Sequence, residues 1–482
     1  MRKIFQAILL LLSGLTTYAQ KQIVSFKISK PYNVLEFVET AAGRKSGHSS
    51  TMYAYINKNI PRSDTAFSRL INEFNDITLY YSYKRSEFPE SRRQYRSTYD
   101  LICIAAVQSN TLDEFKNRTV GILPNSEHQK LFRVLAAAEK YYDRIIWSGE
   151  KEKTEAQVKA LQVYQQQCNQ LFNSFRNFYN SSWTDDIPFS VAIYPIPGKR
   201  GNSTATPHAN SLCVGVLSGE TEHVQRIGVV LHEICHVLYD EQTSAFQHHI
   251  DSAFNQSKSP YRTVAYNFFD EALATAIGNA YVYEFINKKM DTTEWYNNAY
   301  INGYARALYP LVKSYLTANK KMDQAFVEEA IALFGKTFPK ATKEYAILLN
   351  NVQIYGNAET TKERNELVGS IERYFQLSHY GVSCPVTDEH SLELMQNTEE
   401  TQLVIICKDQ EQTIAKLAAI FPEINSGLSG KKDKEYVLSF FDKNGRPVII
   451  ANTATAAAVD KAMKMIHTRQ YMETPLSYMP LP

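Results

Sequence analysis

The stretch Gly228-Val229-Val230-Leu231-His232-Glu233-Ile234-Cys235-His236-Val237-Leu238-Tyr239-Asp240 decides how the rest of the chain is read. Histidines at i and i+4 stand one helical turn apart on one face, so His232 and His236 can direct ring nitrogens at a single metal ion. Glu233 projects about 100° round the same helix, toward the side that a catalytic zinc leaves open for water. A carboxylate there can take a proton from water and later pass it to a leaving amine. The H-E-x-x-H spacing is that of a zinc-binding helix with its own general base.

The flanks carry helical period. Val224, Ile227, Leu231, Ile234 and Leu238 recur at three- and four-residue spacings and form an apolar stripe that would bury the helix. Ser218 and Gly219 mark its expected start, with Glu220 and Glu222 near its positive end. Gly228, one turn before His232, leaves room on the ligand face, and Cys235 is expected in the core.

A tight catalytic zinc usually takes three protein ligands. Downstream stands Asn267-Phe268-Phe269-Asp270-Glu271-Ala272-Leu273-Ala274-Thr275-Ala276-Ile277-Gly278-Asn279. Asn267 is expected to cap a helix, with Asp270 in a capping-box position and Glu271 in the first turn. The small residues Ala274, Thr275 and Gly278 would let that helix come close enough for Glu271 to share the metal. Asp270, His248 and His249 are the competing ligands.

H-E-x-x-H followed by a helix opening (N/D)-E-x-x-A resembles the gluzincin group of zinc metallopeptidases, over roughly Asp186 to Phe285. The resemblance implies an upstream mixed sheet, the motif helix, a second helix supplying a glutamate ligand, and hydrolysis of peptide bonds. Two departures stand out, and a third residue disfavours a metzincin. Thr275 occupies the place where thermolysin-like members carry an acid that orients a ligand histidine. An aminopeptidase signature of the G-x-M-E-N kind is missing, and Gln242 stands where a metzincin has its third histidine. The group often stabilises its oxyanion with a Tyr or His beyond the third ligand, for which Tyr300 and Tyr304 are candidates beside Arg306, and Tyr304 is assigned the role.

Around this core the chain of 482 residues has room for two or three domains. Arg2 and Lys3 precede the apolar run Ile8 to Leu12, and small residues suit cleavage after Ala19, so residues 1–19 read as an export signal and the mature chain as secreted or periplasmic. No later run is long enough to span a membrane. A net charge of +2, from 52 basic and 50 acidic residues, gives no footprint for nucleic acid. Six cysteines without C-x-x-C spacing exclude a cysteine-built zinc site and a dense disulfide framework, leaving room for one or two bridges.

Residues 20–185 are expected to be mainly helical, with a short strand at Ile23 to Ile28, helices from Glu127 to Ile146 and Glu150 to Tyr179, and a buried run Tyr99 to Val107 that period alone leaves between strand and helix. Residues 186–395 hold the core: a strand at Phe189 to Tyr194 ending before Pro195, a loop Gly198 to Pro207, a strand Ala209 to Val216, the motif helix and a helical wall. His208 and Asn210 are expected in hydrogen-bonding roles. Residues 396–482 read as a small βαββα module with a hairpin at Asp442-Lys443-Asn444-Gly445, no nucleotide fingerprint and an irregular tail.

The fold class is therefore α+β: a zincin-like metallopeptidase core, mixed sheet plus active-site helices, in a largely helical chain with a small C-terminal α/β module. The function expected is that of an exported zinc metallopeptidase acting on a peptide or protein substrate, with Zn2+ on His232, His236 and Glu271, and Glu233 as base. The alternative is a catalytically inactive zincin-like scaffold that binds peptide or cell-envelope material. Nothing in the sequence sets an oligomeric state.

Overall fold

The computed structural model describes residues 22–43, 48–84, 87, 95–398 and 400–481, so the expected export signal lies outside the described residues. The chain is α+β and largely helical. It divides into two compact units, Met1–Ala253 with Phe269–Val327, and Phe254–Phe268 with Glu328–Pro482. No helix among the described residues is long and apolar enough to cross a membrane.

The first unit holds a two-stranded pair, β2 (Ser82–Lys84) with β3 (Tyr95–Ser97), and a four-stranded mixed sheet made of β1 (Val24–Lys27), β4 (Phe189–Ile196), β5 (Ala205–His208) and β6 (Ser211–Leu217). The order is β1-β4-β6-β5, with β1, β4 and β6 parallel and β5 antiparallel to β6 at the edge. β4 continues through Pro195, where the sequence suggested a stop. β1 pairs only with Phe189 to Ala192 of β4, so one side of Pro195 is open and its missing N–H interrupts no ladder there. β5 arises inside the expected loop, because the turn to β6 uses Ala209 at φ 49°, a residue that announces no turn.

The undecided run Tyr99 to Val107 is helical, within Thr98–Gln108. Ser97 and Asp100 form a reciprocal capping box that starts it, and burial of most of its length erases the amphipathic period. The other carboxylate oxygen of Asp100 lies 2.9 Å from His208 Nδ1, which ties β5 to this helix. Asn210 donates to the Pro188 carbonyl at 3.0 Å. Both residues thus take the hydrogen-bonding roles expected of them. The expected helix from Glu150 to Tyr179 is two, Ser148–Gln162 and Gln165–Tyr179, parted at the exposed Val163. Its apolar set Cys168, Leu171, Phe172 and Phe175 forms a buried face.

The second unit is larger than the expected βαββα module. Its six-stranded sheet contains β7 (Asn351–Tyr355), β8 (His379–Ser383), β9 (Thr401–Ile406), β10 (Tyr436–Phe441), β11 (Pro447–Asn452) and β12 (Leu476–Pro480), in the order β12-β10-β11-β9-β7-β8. β8, β7, β9 and β11 are mutually parallel, and β10 runs against both its neighbours. Side chains alternate between two apolar layers: Leu403 and Ile405 face one, Val404 and Ile406 the other. β7 lies within the stretch expected as a helical wall, since a short strand buried on both faces reads like a buried helix. The tail forms edge strand β12, where Pro480 is tolerated. The hairpin turn is as expected, with Gly445 at φ 78° and Asp442 accepting the backbone N–H groups of Asn444 and Arg446. All six cysteines are free thiols.

Candidate metal centre

The motif helix spans His223–Asp240. Ile227, Leu231, Ile234, Cys235 and Leu238 are fully buried, as the apolar stripe requires. Its start lies beyond Ser218 and Gly219. Glu220 does not sit at the helix end but grips Arg226 in a two-pronged pair, Nε to Oε1 at 2.8 Å and NH2 to Oε2 at 2.6 Å.

The second helix runs Arg262–Ala274 and passes into a π-helical turn, Thr275–Tyr281, then into Val282–Asn287. Asn267 is therefore inside the helix and caps nothing. Asp270 and Glu271 lie within one long helical run, so no helix start accounts for two adjacent acids there. What accounts for them is the pair of histidines they face.

Two glycines let the helices touch. A Cβ on Gly278 would lie 2.5 Å from the backbone N and Cα of His232, and one on Gly228 would lie 2.9 Å from the Gly278 carbonyl oxygen. The π turn, with its extra residue per turn, carries Gly278 to this contact, and such turns commonly mark functional sites.

This contact sets the ligand geometry. The Nε2 atoms of His232 and His236 are 3.0 Å apart, Glu271 Oε1 is 3.0 Å from His232 Nε2, and Glu271 Oε2 is 3.5 Å from His236 Nε2. Ligands at zinc bond lengths and tetrahedral angles stand about 3.3 Å from one another, so the three groups fit three corners around one ion. The donor set of two imidazoles and a carboxylate suits zinc. Two ring nitrogens this close to each other and to a carboxylate demand a shared cation, whether proton or metal. Burial works against charge on His236, but Asp270 and Glu271 outweigh it and hold its pKa well above the usual histidine range. Burial likewise opposes charge on Glu271, and His236 and His232 overcome it and hold that carboxyl well below its ordinary value.

Asp270 supplies the orientation that Thr275 cannot. Its Oδ2 lies 2.9 Å from His236 Nδ1, leaving Nε2 directed at the other ligands. The acid is the residue before Glu271 and not one four residues after it. His232 has no such partner for Nδ1 among the described residues. Its ring stacks on Tyr296, with centroids 6.2 Å apart and 19° between the planes. Asp270→Asn is accordingly expected to weaken zinc binding by about 10- to 100-fold, measured by competition with a chelating dye. Unchanged affinity would remove Asp270 from the site.

The three groups open onto a cavity of about 400 Å³. One wall is the motif-helix face Arg226, Val229, Glu233 and His236, and the opposite wall is Ser203, Thr204 and Ala205, leading into β5. Asn279 and Tyr296 complete it. Burial raises the Glu233 carboxyl, against the opposing pull of His232 and His236. Tyr304, assigned above to the oxyanion, is not in this cavity: it is fully buried beside Ile301, Ala305 and Leu308 on the core face of helix Ala299–Thr317. The tyrosine that lines the cavity is Tyr296, in the irregular segment before that helix, and burial, together with the nearby Glu271 carboxylate, raises the pKa of its hydroxyl. Only the loop path brings it there, so no spacing in the sequence marks it. His248 and His249 are exposed on helix Ser244–Gln256, outside the cluster. A second group, Glu36, Glu39 and His48, has metal-like spacing, but Tyr32, Thr40 and Tyr99 already hydrogen-bond its carboxylates.

Comparisons with protein families, with curated proteins and with solved structures found no match. The site is therefore read from its own geometry.

Proposed function

We propose that the chain is an exported zinc-dependent peptidase of the gluzincin type. The observation that carries this reading is the convergence of His232, His236 and Glu271 on one point, in the same cavity as the Glu233 carboxylate. Zinc bound there would polarise a scissile carbonyl and lower the pKa of water. Glu233, whose carboxyl pKa burial raises, would be the group placed to take a proton from water in the cavity and pass it to the leaving amine. Tyr296 offers its hydroxyl to the developing oxyanion. The edge strand β5, flanked by β6 alone among the described strands, suits an extended peptide added by main-chain hydrogen bonds. The export signal at residues 1–19 supports action outside the cytoplasm.

The test is elemental analysis for zinc joined to hydrolysis of a mixed peptide library. Absence of stoichiometric zinc overturns the reading. Stoichiometric zinc with no cleavage favours the peptide-binding scaffold instead. Tyr296→Phe, which keeps the ring against His232 and removes only the hydroxyl, is expected to lower kcat by about 100-fold with zinc content unchanged. Full activity in that variant would return the oxyanion role to other donors.

A further inference from the structure

The second unit contains a crevice of another kind, independent of the metal centre. β7 connects to its neighbour β8 through helix Thr361–Glu372, whose Val368 and Ile371 pack in one apolar layer of the sheet. The chain then crosses back past β7 to β9 through helix Glu389–Asn397, whose Met395 packs in the other layer. β9 leads into helix Gln410–Ile420, also in that second layer through Leu417. The segments leaving the carboxyl ends of β7 and β9 therefore diverge to opposite faces. That divergence is a topological switch point, the place where open parallel sheets bind ligands.

A cavity of about 210 Å³ lies there, lined by Asn357 after β7, Lys408 and Asp409 after β9, and Thr413 and Lys416 on the helix that follows. Glu359 and Asp409 put two carboxylates in its lining, beside the donors Asn357, Lys408, Thr413 and Lys416. Thr413 is only 3% exposed, and its hydroxyl has no hydrogen-bond partner among the described residues although it lines the cavity. Asn357 uses its side-chain oxygen to accept from the Cys407 N–H at 3.0 Å, which leaves its amide N–H groups for the cavity. Asp409 sits at φ 47° and makes no side-chain cap, so the first-turn N–H groups of helix Gln410–Ile420 have no capping side chain. Lys416 lies one turn along from Thr413 on the same face. Lys408 is taken up by Glu359, at 2.7 Å.

We propose that this switch-point cavity binds a small molecule through a phosphate or carboxylate group, held by Thr413, Asn357, Lys416 and the start of helix Gln410–Ile420. An oxyanion in the cavity accepts from the Thr413 hydroxyl that reaches it and from the helix N–H groups together. Asp409 and the Lys408–Glu359 pair also line the cavity, where their carboxylates favour a ligand that also carries hydroxyl or amino groups over a bare polyanion. The size of the cavity and the missing glycine fingerprint exclude a dinucleotide.

The test is isothermal titration of the full mature chain with inorganic phosphate and, separately, with acetate, each against chloride at matched ionic strength. At least one of the two anions is expected to bind, and which one does so distinguishes the phosphate source from the carboxylate source. Thr413→Val and Lys416→Gln, each checked by circular dichroism for an intact fold, should weaken that binding by about tenfold or more. Equal binding in both folded variants, or no binding of either anion to the wild type, overturns the proposal. Because no residue of the metal centre is touched, either result leaves the peptidase reading where it stood.

Discussion

Glu233→Gln is expected to keep one zinc per chain and lose peptide hydrolysis by about 100- to 10,000-fold in kcat, the range that a positioned general base contributes. The carboxyl of Glu233 is not among the atoms that converge on the metal position, which are those of His232, His236 and Glu271. The amide has nearly the same shape, so cavity and helix packing are retained. What disappears is the ability to take a proton from water. Elemental analysis and initial rates on the best library peptide check the two halves separately. Zinc lost together with activity would make Glu233 a structural ligand, and activity retained would remove it from the chemistry.

The second large effect is expected from Gly278→Ala, a change of one methyl group. The added Cβ meets the backbone N and Cα of His232 at 2.5 Å, and backbone atoms have no rotamer by which to yield. The helices must part, and overpacking of this kind costs about 1–3 kcal/mol or more. Separation also draws Glu271, on the run that carries Gly278, away from the two histidines on the other helix. Zinc content is therefore expected to fall below stoichiometric and the melting temperature to drop in the same variant. Gly149→Ala is the control, since nothing lies within 4 Å of a Cβ there. In that helix the change should be neutral or stabilising by up to about 1 kcal/mol. Stoichiometric zinc and an unchanged melting temperature in Gly278→Ala would mean that the helix contact does not hold the site.

Local spacing made part of this legible. An i, i+4 pair of histidines with an apolar stripe on the same segment describes a buried helix with two coincident ligands, and both properties follow from helical period alone. Of the two features the sequence offers for Glu271, a helix start and a row of small residues, only the second matches the structure. Glu271 lies deep in a helical run and not at a start capped by Asn267, and the close approach through Gly278 brings it to the two histidines. Tyr304 shows the limit of the same reasoning. It lies beyond Glu271, where a catalytic tyrosine was expected, but helical phase turns its ring into the core.

The sequence by itself determined the motif helix, with His232 and His236 one turn apart on it, and the hairpin at Asp442 to Gly445, because each is written in residues close together along the chain. Only the tertiary structure decided that Asp270 orients His236, that Tyr296 and not Tyr304 faces the cavity, that β7, β8 and β12 complete the second sheet, and that a crevice opens between the ends of β7 and β9. Those features depend on how a π turn phases one helix against another, on which loop crosses which strand, and on which edge of a sheet stays open. Contacts of that kind join residues far apart in the chain, and no period of 2 or 3.6 encodes them.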